Sequence, residues 1–133
     1  MDRDGLLTIA SSHTPVVTID RLMSALDAKG ITVFARIDHA AGAASVGMAL
    51  RPTTVVIFGN PAAGTPLMQS DQRVGLDLPL KALIWEDANR RTWLTYTDPA
   101  WLADRYGLGD EAKPVAARLA AAVAELAVAA TSP

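Results

Sequence analysis

The feature that most constrains the fold is the unbroken run Thr-Thr-Val-Val-Ile-Phe at residues 53–58, which ends at Gly59-Asn60-Pro61. β-Branched and aromatic side chains favour strands, and a strand that is apolar on both faces is typical of a sheet interior. The run therefore predicts a central strand that is buried on both faces. A chain built around such a strand needs further strands beside it and helices that cover it.

The spacing of apolar residues predicts the remaining elements. Period-two patterns and apolar runs indicate four more strands, of which the last two form a hairpin across a polar turn: 5–10, 31–38, 80–86 and 92–97. In segment 31–38 the alternation assigns Ile31, Val33, Ala35 and Ile37 to one face. Residues 59–79 are rich in Gly, Pro and Asp, and we expect them to be largely irregular, with a short helix at 66–73.

Helix-start signals, a capping residue followed by proline, occur at Thr14-Pro15 and Asp98-Pro99. A last helix is expected over 113–130. We predict an α+β fold: a single mixed β-sheet of about five strands with helices packed on it, ending in a hairpin and two helices. A single domain would span residues 1–133, with its core at 5–108.

Composition excludes several classes of function. Twelve basic and fourteen acidic residues give a net charge of −2, which provides no basic surface for nucleic acid. The absence of cysteine excludes disulfides, thiolate catalysis and iron–sulfur clusters. The apolar segment 115–130 is mostly alanine and contains two charged residues, so we expect no membrane span. We therefore expect a cytoplasmic protein without a nucleic-acid or membrane partner.

Several short motifs follow one another in the middle of the chain: Ile37-Asp38-His39, Phe58-Gly59-Asn60-Pro61, Gly64-Thr65-Pro66-Leu67-Met68, the heptapeptide at 75–81 and Tyr96-Thr97-Asp98-Pro99. In this order they resemble the family called domain of unknown function 302 (DUF302), over roughly residues 5–108. The resemblance implies a compact α+β domain that associates in pairs. It implies no activity, cofactor or catalytic residue.

The loop at residues 59–65 follows a strand, as phosphate-binding loops do. Thr65 stands where such a loop needs lysine, and Pro61 and Pro66 lack N–H donors. Nucleotide hydrolysis is therefore not expected. Two interpretations stay open: a loop in which Asn60, Gly64 and Thr65 contact a small ligand, including an anion bound by the remaining amides, and a turn that is merely shaped by its glycines and prolines.

His39, at the end of a strand, is the main candidate for acid–base chemistry. Glu86 continues the apolar row of Leu80, Ala82 and Ile84, which would raise its pKa if it were buried. With Lys81 orienting an anionic substrate, His39 and Glu86 make an enzyme the alternative hypothesis. The opposing interpretation is a structural histidine and a solvated turn carboxylate.

We expect no metal and no cofactor, because the only other histidine, His13, is distant in sequence and the carboxylates show no regular ligand spacing. The carboxylates considered were Asp38, Asp77, Glu86 and Asp87. Two further alternatives concern surfaces. Trp85 and Trp93 could pair across the hairpin or cover a dimer interface, and the last helix could pack on its own sheet or on a partner.

The leading hypothesis is thus a homodimeric module that binds a small ligand or acts as an accessory to a protein partner. Its predicted ligand-binding residues are His39, Asn60, Gly64, Thr65, Asp77 and Lys81.

Overall fold

Five strands and five α-helices form along residues 4–133, the part of the chain described by this computed structural model. The strands are β1 (Leu6–Ala10), β2 (Thr32–Asp38), β3 (Thr53–Gly59), β4 (Leu80–Glu86) and β5 (Thr92–Thr97). The helices are α1 (Pro15–Ala28), α2 (His39–Ser45), α3 (Pro61–Ser70), α4 (Pro99–Arg105) and α5 (Lys113–Thr131). A 3₁₀ helix (Gln72–Asp77) connects α3 to β4.

Local capping explains where three of the helices begin. The Thr14 hydroxyl accepts a hydrogen bond from the Val17 N–H at α1, and Asp98 caps α4 in the same manner. Asn60 accepts from the Ala62 N–H, so Asn60-Pro61 is a third cap-plus-proline start. The prediction of a largely irregular segment at 59–79 is therefore wrong, because α3 and the 3₁₀ helix occupy most of it.

The strands form one sheet in the order β1-β5-β4-β3-β2, with every neighbouring pair antiparallel. The predicted α+β class, the strand number and the closing hairpin and helices are confirmed, but the sheet is not mixed. β1 and β2 run in the same direction, as a strand–helix–strand unit requires. However, α1 carries the chain from one edge of the sheet to the other, so these two strands never pair.

β3 is an interior strand, but only one of its faces is fully buried. Val56 and Phe58 are 0% and 1% exposed, whereas Val55 and Ile57 on the opposite face are half-buried. α1 and α5 cover the first face. The prediction of burial on both faces fails because no second layer of helices packs on the other side within residues 4–133.

The register of β2 against β3 shifts between Val33 and Ala35, which places a bulge at Phe34. Val33 pairs with Phe58 on the buried face, whereas Ile37 pairs with Val55 on the opposite face. The predicted single face for Val33, Ala35 and Ile37 is therefore wrong, since a bulge moves the following residues to the other side. Phe34 is left 53% exposed.

α5 is part of the main core and packs on its own sheet and on α1. Val123, Leu126 and Ala127 join residues of α1 and of the central strands in one buried cluster. The Lys29 ammonium also contacts the Glu125 carboxylate at 2.9 Å. By length and composition alone, α5 is the one helix of residues 4–133 that could cross a membrane. A third of its apolar window is buried inside the protein.

The hairpin turn between β4 and β5 is organised by Asp87. Its carboxylate accepts hydrogen bonds from the Trp93 indole N–H and from the backbone N–H groups of Asn89 and Arg91, each at 2.9 Å. These bonds, the one from Trp93 foremost, hold the pKa of Asp87 below its usual range. Asp87 is thus a structural turn residue.

This depressed pKa predicts a pH-dependent stability. The contribution of Asp87 is complete above its unfolded pKa of about 3.9 and is lost as the pH falls through the folded value. We expect Asp87→Asn to lower the urea midpoint at neutral pH, with a difference from the parent protein that narrows between about pH 5 and pH 2. Asp110→Asn, at a carboxylate that is 100% exposed, should change the midpoint little at any pH. If the urea midpoints of Asp87→Asn and the parent protein differed by the same amount at every pH, the stabilisation could not come from the ionised Asp87 carboxylate.

Candidate functional site

A cavity of about 240 Å³ opens where β3 ends and β4 begins. Its walls come from the bulge of β2, the end of β3, α3, the 3₁₀ helix, the start of β4 and one residue of α5: Phe34, Gly59, Asn60, Pro61, Ala63, Gly64, Thr65, Met68, Gly75, Leu78, Pro79, Leu80 and Leu119. We call these residues the end pocket. The walls are apolar apart from the side chains of Asn60 and Thr65.

The end pocket lies between two hydrophobic cores. Leu80 packs against the main core beneath α1 and α5. Met68, Leu78 and Leu119 pack against a second cluster, which is built around Leu67 of α3 and Val74 of the 3₁₀ helix. The cavity therefore occupies the junction of two packed units, which is a common place for a ligand site.

The backbone amides at the start of α3 are already engaged. The Ala62 N–H donates to the Asn60 side chain, and the N–H groups of Ala63 and Gly64 donate to the Asn60 carbonyl. Pro61 has no N–H. The N–H groups of Ala62, Ala63 and Gly64 are therefore not free to bind an anion, which argues against the open possibility of an anion held by the amides of this turn.

The structure brings together three of the predicted ligand-binding residues, Asn60, Gly64 and Thr65, in the wall of the end pocket. Lys81 lies just outside, exposed, with its ammonium 3.2 Å from the Pro79 carbonyl. Asp77 ends the 3₁₀ helix and accepts a hydrogen bond from the Tyr106 hydroxyl. That bond raises the pKa of Tyr106, and it ties α4 to the 3₁₀ helix, so Asp77 supports the pocket without lining it.

His39 and Glu86 lie at the opposite end of the sheet. Asp38 pairs with Thr54 at the start of β3, five residues from the pocket residue Gly59, a span of about 17 Å. Lys81 and Glu86 are likewise five residues apart on β4. The structure therefore does not bring His39, Glu86 and Lys81 to one site, and it removes His39 from the predicted ligand set.

The surroundings of the two histidines differ. His39 begins α2 and is exposed. His13 holds the end of the chain, with its Nε2 atom 2.6 Å from the Ser132 carbonyl. The structural interpretation was made for His39, but the contact of this kind within residues 4–133 is made by His13. Across residues 4–133, no three His, Asp or Glu side chains lie close enough to hold a metal ion.

Most of the pocket walls come from residues 59–68 and 77–81, the two loops near which the sequence predicts a ligand. Phe34 was missed because the bulge hid its position, and Leu119 because it belongs to the apolar stripe of the last helix. Gly64 and Gly75 are unusual only once the helices are known, because glycine is unfavourable inside a helix but ordinary in a segment that the sequence predicts to be irregular.

A second surface is the sheet face that α1 and α5 leave uncovered, which we call the open face. One row of paired residues crosses all five strands: Thr8, Thr95, Leu83, Val55 and Ile37. Leu6, Ile57, Trp85 and Trp93 lie on the same face, with the two indole rings stacked at a centroid distance of 6.3 Å. The predicted cross-strand tryptophan pair is thereby confirmed.

The polar groups of the open face are satisfied within it. The Thr8 and Thr95 hydroxyls lie 2.9 Å apart, and the Trp85 indole N–H donates to Thr95 at 2.9 Å. The Trp93 indole N–H donates to Asp87. Covering this face would therefore strand neither indole N–H and only one of the two hydroxyl protons, so the penalty for burying unpaired donors is small.

Comparisons with known proteins agree on a family and a fold. The family model described as "Domain of unknown function DUF302" matches residues 7–126. A crystal structure of an uncharacterized conserved DUF302 protein from Bacillus stearothermophilus has a TM-score of 0.84 and 20% identity, and the match covers 95% of this chain and 98% of that one. At this identity the likeness shows the fold alone.

Curated relatives match over part of their length. The chain is 50% identical over 105 residues to proteins named fluoride-specific ion channel FluC 1 in Brucella suis and in Brucella abortus. The match covers 79% of this chain but only 41% and 39% of those proteins. The chain thus spans about two fifths of the length of these relatives.

Proposed function

The chain belongs to the DUF302 family, and from that premise we propose that it is a homodimeric module that binds a small ligand. The end pocket carries the ligand part of the proposal. It is concave and apolar, it contains a few polar groups at one side, and it lies between two cores, the usual features of a small-molecule site. Asn60 and Thr65 provide the groups that would orient a ligand.

Native mass spectrometry of protein purified gently from its own cells tests the ligand part. We expect a reproducible extra mass that is lost when the pocket is filled by Gly64→Leu. Gly42→Leu is the matched control, because Gly42 lies in α2 with open space around its Cβ position. A protein that carries no added mass and binds no small molecule at the end pocket in a screen would overturn the proposal.

The open face supports the homodimer part. The nine residues named above are not ionisable, and both indole N–H groups have partners. Lys81, which pairs with Ile57, lies on the same face near its end, where its exposed ammonium can stay in water when the centre of the face is covered. Two such faces can stack as sheets about 10 Å apart, as in a β-sandwich. The partner we propose is a second copy of this chain, whose open face has the same apolar character.

A second candidate function is suggested by the curated relatives. Proteins named as fluoride channels contain a region 50% identical to this chain, and more than half of each lies outside the match. We propose as the alternative that this chain acts as an accessory module beside a channel of that kind. This role would use its surface rather than the end pocket.

Affinity purification from the native cells, after solubilisation in a mild detergent, tests this alternative. We expect a fluoride channel protein to be enriched with the tagged chain and not with the tag alone. Recovery of the channel in the input but not with the chain would contradict the accessory role and leave the ligand proposal untouched.

A further inference from the structure

We infer that the end pocket accepts a small, uncharged, mainly apolar molecule of about ten non-hydrogen atoms, and that three glycines keep it open for that ligand. The inference rests on the proposed small-ligand function and specifies its ligand class. Three observations support it: the space that the glycines leave, the absence of ionisable side chains in the walls and the volume of the cavity.

Gly59, Gly64 and Gly75 all line the end pocket. Their backbone does not require glycine, because the positive φ angles of this chain occur elsewhere, at Gly5, Gly30, Gly47 and Gly107 among the glycines of residues 4–133. Each of the three also lies within a strand, an α-helix or a 3₁₀ helix, where glycine weakens the element. What their missing side chains provide is space.

A Cβ atom at each position would meet other walls of the same cavity. At Gly59 it would lie 3.5 Å from Pro79 and 3.6 Å from Phe34. At Gly64 it would lie 3.7 Å from Leu78, an ordinary contact that needs no rearrangement.

Gly75 is the tightest of the three, since its Cβ would lie 3.1 Å from the Met68 sulfur. A side chain at any of the three positions would therefore occupy the cavity.

The absence of charge in the walls favours a neutral ligand. None of the thirteen lining residues is ionisable, so an ionised ligand would lose its hydration without gaining a counter-charge. The nearby cations Lys81 and Arg118 are exposed to solvent outside the walls. Among the side chains of the walls, those of Asn60 and Thr65 are the two that can form hydrogen bonds, which suits a single neutral polar group at one end of the ligand.

The volume of the cavity limits the size of the ligand. A protein cavity of about 150 Å³ lined by apolar residues binds benzene, which has six non-hydrogen atoms. By proportion, the end pocket at about 240 Å³ holds about ten. An eight-carbon alcohol or a neutral bicyclic ring is of this size, whereas a nucleotide or a sugar phosphate is too large and too charged.

The test compares 1-octanol with octanoate, which match in length and differ in charge, by NMR titration of the full chain. We expect octanol to shift amides of the end-pocket residues and octanoate to bind at least 10-fold more weakly at neutral pH. Gly64→Leu should weaken octanol binding at least 10-fold, whereas Gly42→Leu should leave it unchanged.

Gly64→Ala provides a variant that should fold at least as well as the parent. Its Cβ fits without strain in a helix, so we expect Tm to rise by about 2–5 °C while octanol binding weakens. Gly42→Ala should raise Tm similarly without affecting binding. Gain of stability together with loss of binding is a result that a merely structural glycine would not give.

The outcomes separate the two proposals. Octanoate binding as tightly as octanol overturns the neutral ligand class and leaves the small-ligand function standing. If neither probe binds, the inference is overturned, and the proposed function then depends on the added mass seen in the native protein. Octanol binding that survives Gly64→Leu also overturns the inference, because the molecule would be bound elsewhere.

Discussion

Replacing Leu83 with aspartate is expected to convert the proposed dimer into a monomer, with the dissociation constant of the dimer raised at least 100-fold. Leu83 lies at the centre of the row that crosses the open face, paired with Val55 and Thr95. In a two-fold dimer each copy would bury one unpaired carboxylate, and a buried uncompensated charge costs about 3–5 kcal/mol. Since about 1.4 kcal/mol corresponds to a factor of ten, the expected change is large. Sedimentation velocity over a concentration series measures it.

Two further variants keep this test independent of folding. Ile37→Asp places the charge on the edge strand at a side chain that is 43% exposed in the single chain, so the monomer should tolerate it while the dimer does not. Val128→Asp is the control, because Val128 is 56% exposed on α5, away from the open face. A parent protein that is monomeric at high concentration, or a Leu83→Asp variant that remains dimeric, would overturn the homodimer proposal.

Gly5→Ala is expected to lower the free energy of unfolding by about 3 kcal/mol, from backbone strain and steric overlap together. Gly5 has a φ of +78°, and a Cβ there would overlap the ring of Trp101. The chain cannot relax freely, because the Gly5 carbonyl accepts a hydrogen bond from the Asp98 N–H at 2.9 Å. Equilibrium unfolding in urea measures the loss.

A matched variant separates the two contributions. Gly107 has a φ of +58° with nothing within 4 Å of its Cβ position, so Gly107→Ala should cost only the conformational part, about 1 kcal/mol. In a Trp101→Ala background, Gly5→Ala should lower the free energy of unfolding by about the same amount as Gly107→Ala. Equal costs for Gly5→Ala in both backgrounds would show that overlap with Trp101 is not the cause.

Local chemistry made much of the fold predictable. The Thr14-Pro15 and Asp98-Pro99 starts act within a few residues, and the structure reproduces them. The third start of the same kind, Asn60-Pro61, was obscured by the glycines and prolines that follow it. Strand pairing depends on contacts distant in sequence, so neither the all-antiparallel order nor the bulge at Phe34 could be read from local periodicity.

The site was predictable only in part. The loop of Asn60, Gly64 and Thr65 does line a cavity, because a glycine-rich segment after a buried strand leaves space there. His39 and Glu86 were grouped with this loop by residue type. However, they lie at the opposite ends of their strands from the loop, on the far side of the sheet along the strand direction. Which end a residue occupies follows from strand direction, which its own sequence does not encode.

The route of α1 across the sheet has a consequence for the order in which the chain can fold. β1 pairs only with β5, and Thr8 meets Thr95, which lies 87 positions later in the sequence. Contacts this distant in sequence slow folding, because the loop must close before the contact is gained. During synthesis, β1 emerges well before β5 and cannot pair with it until β5 has left the ribosome. The strand made before the other four is thus among the last to be fixed, and protection of the β1 amides from hydrogen exchange would report completion of the whole sheet.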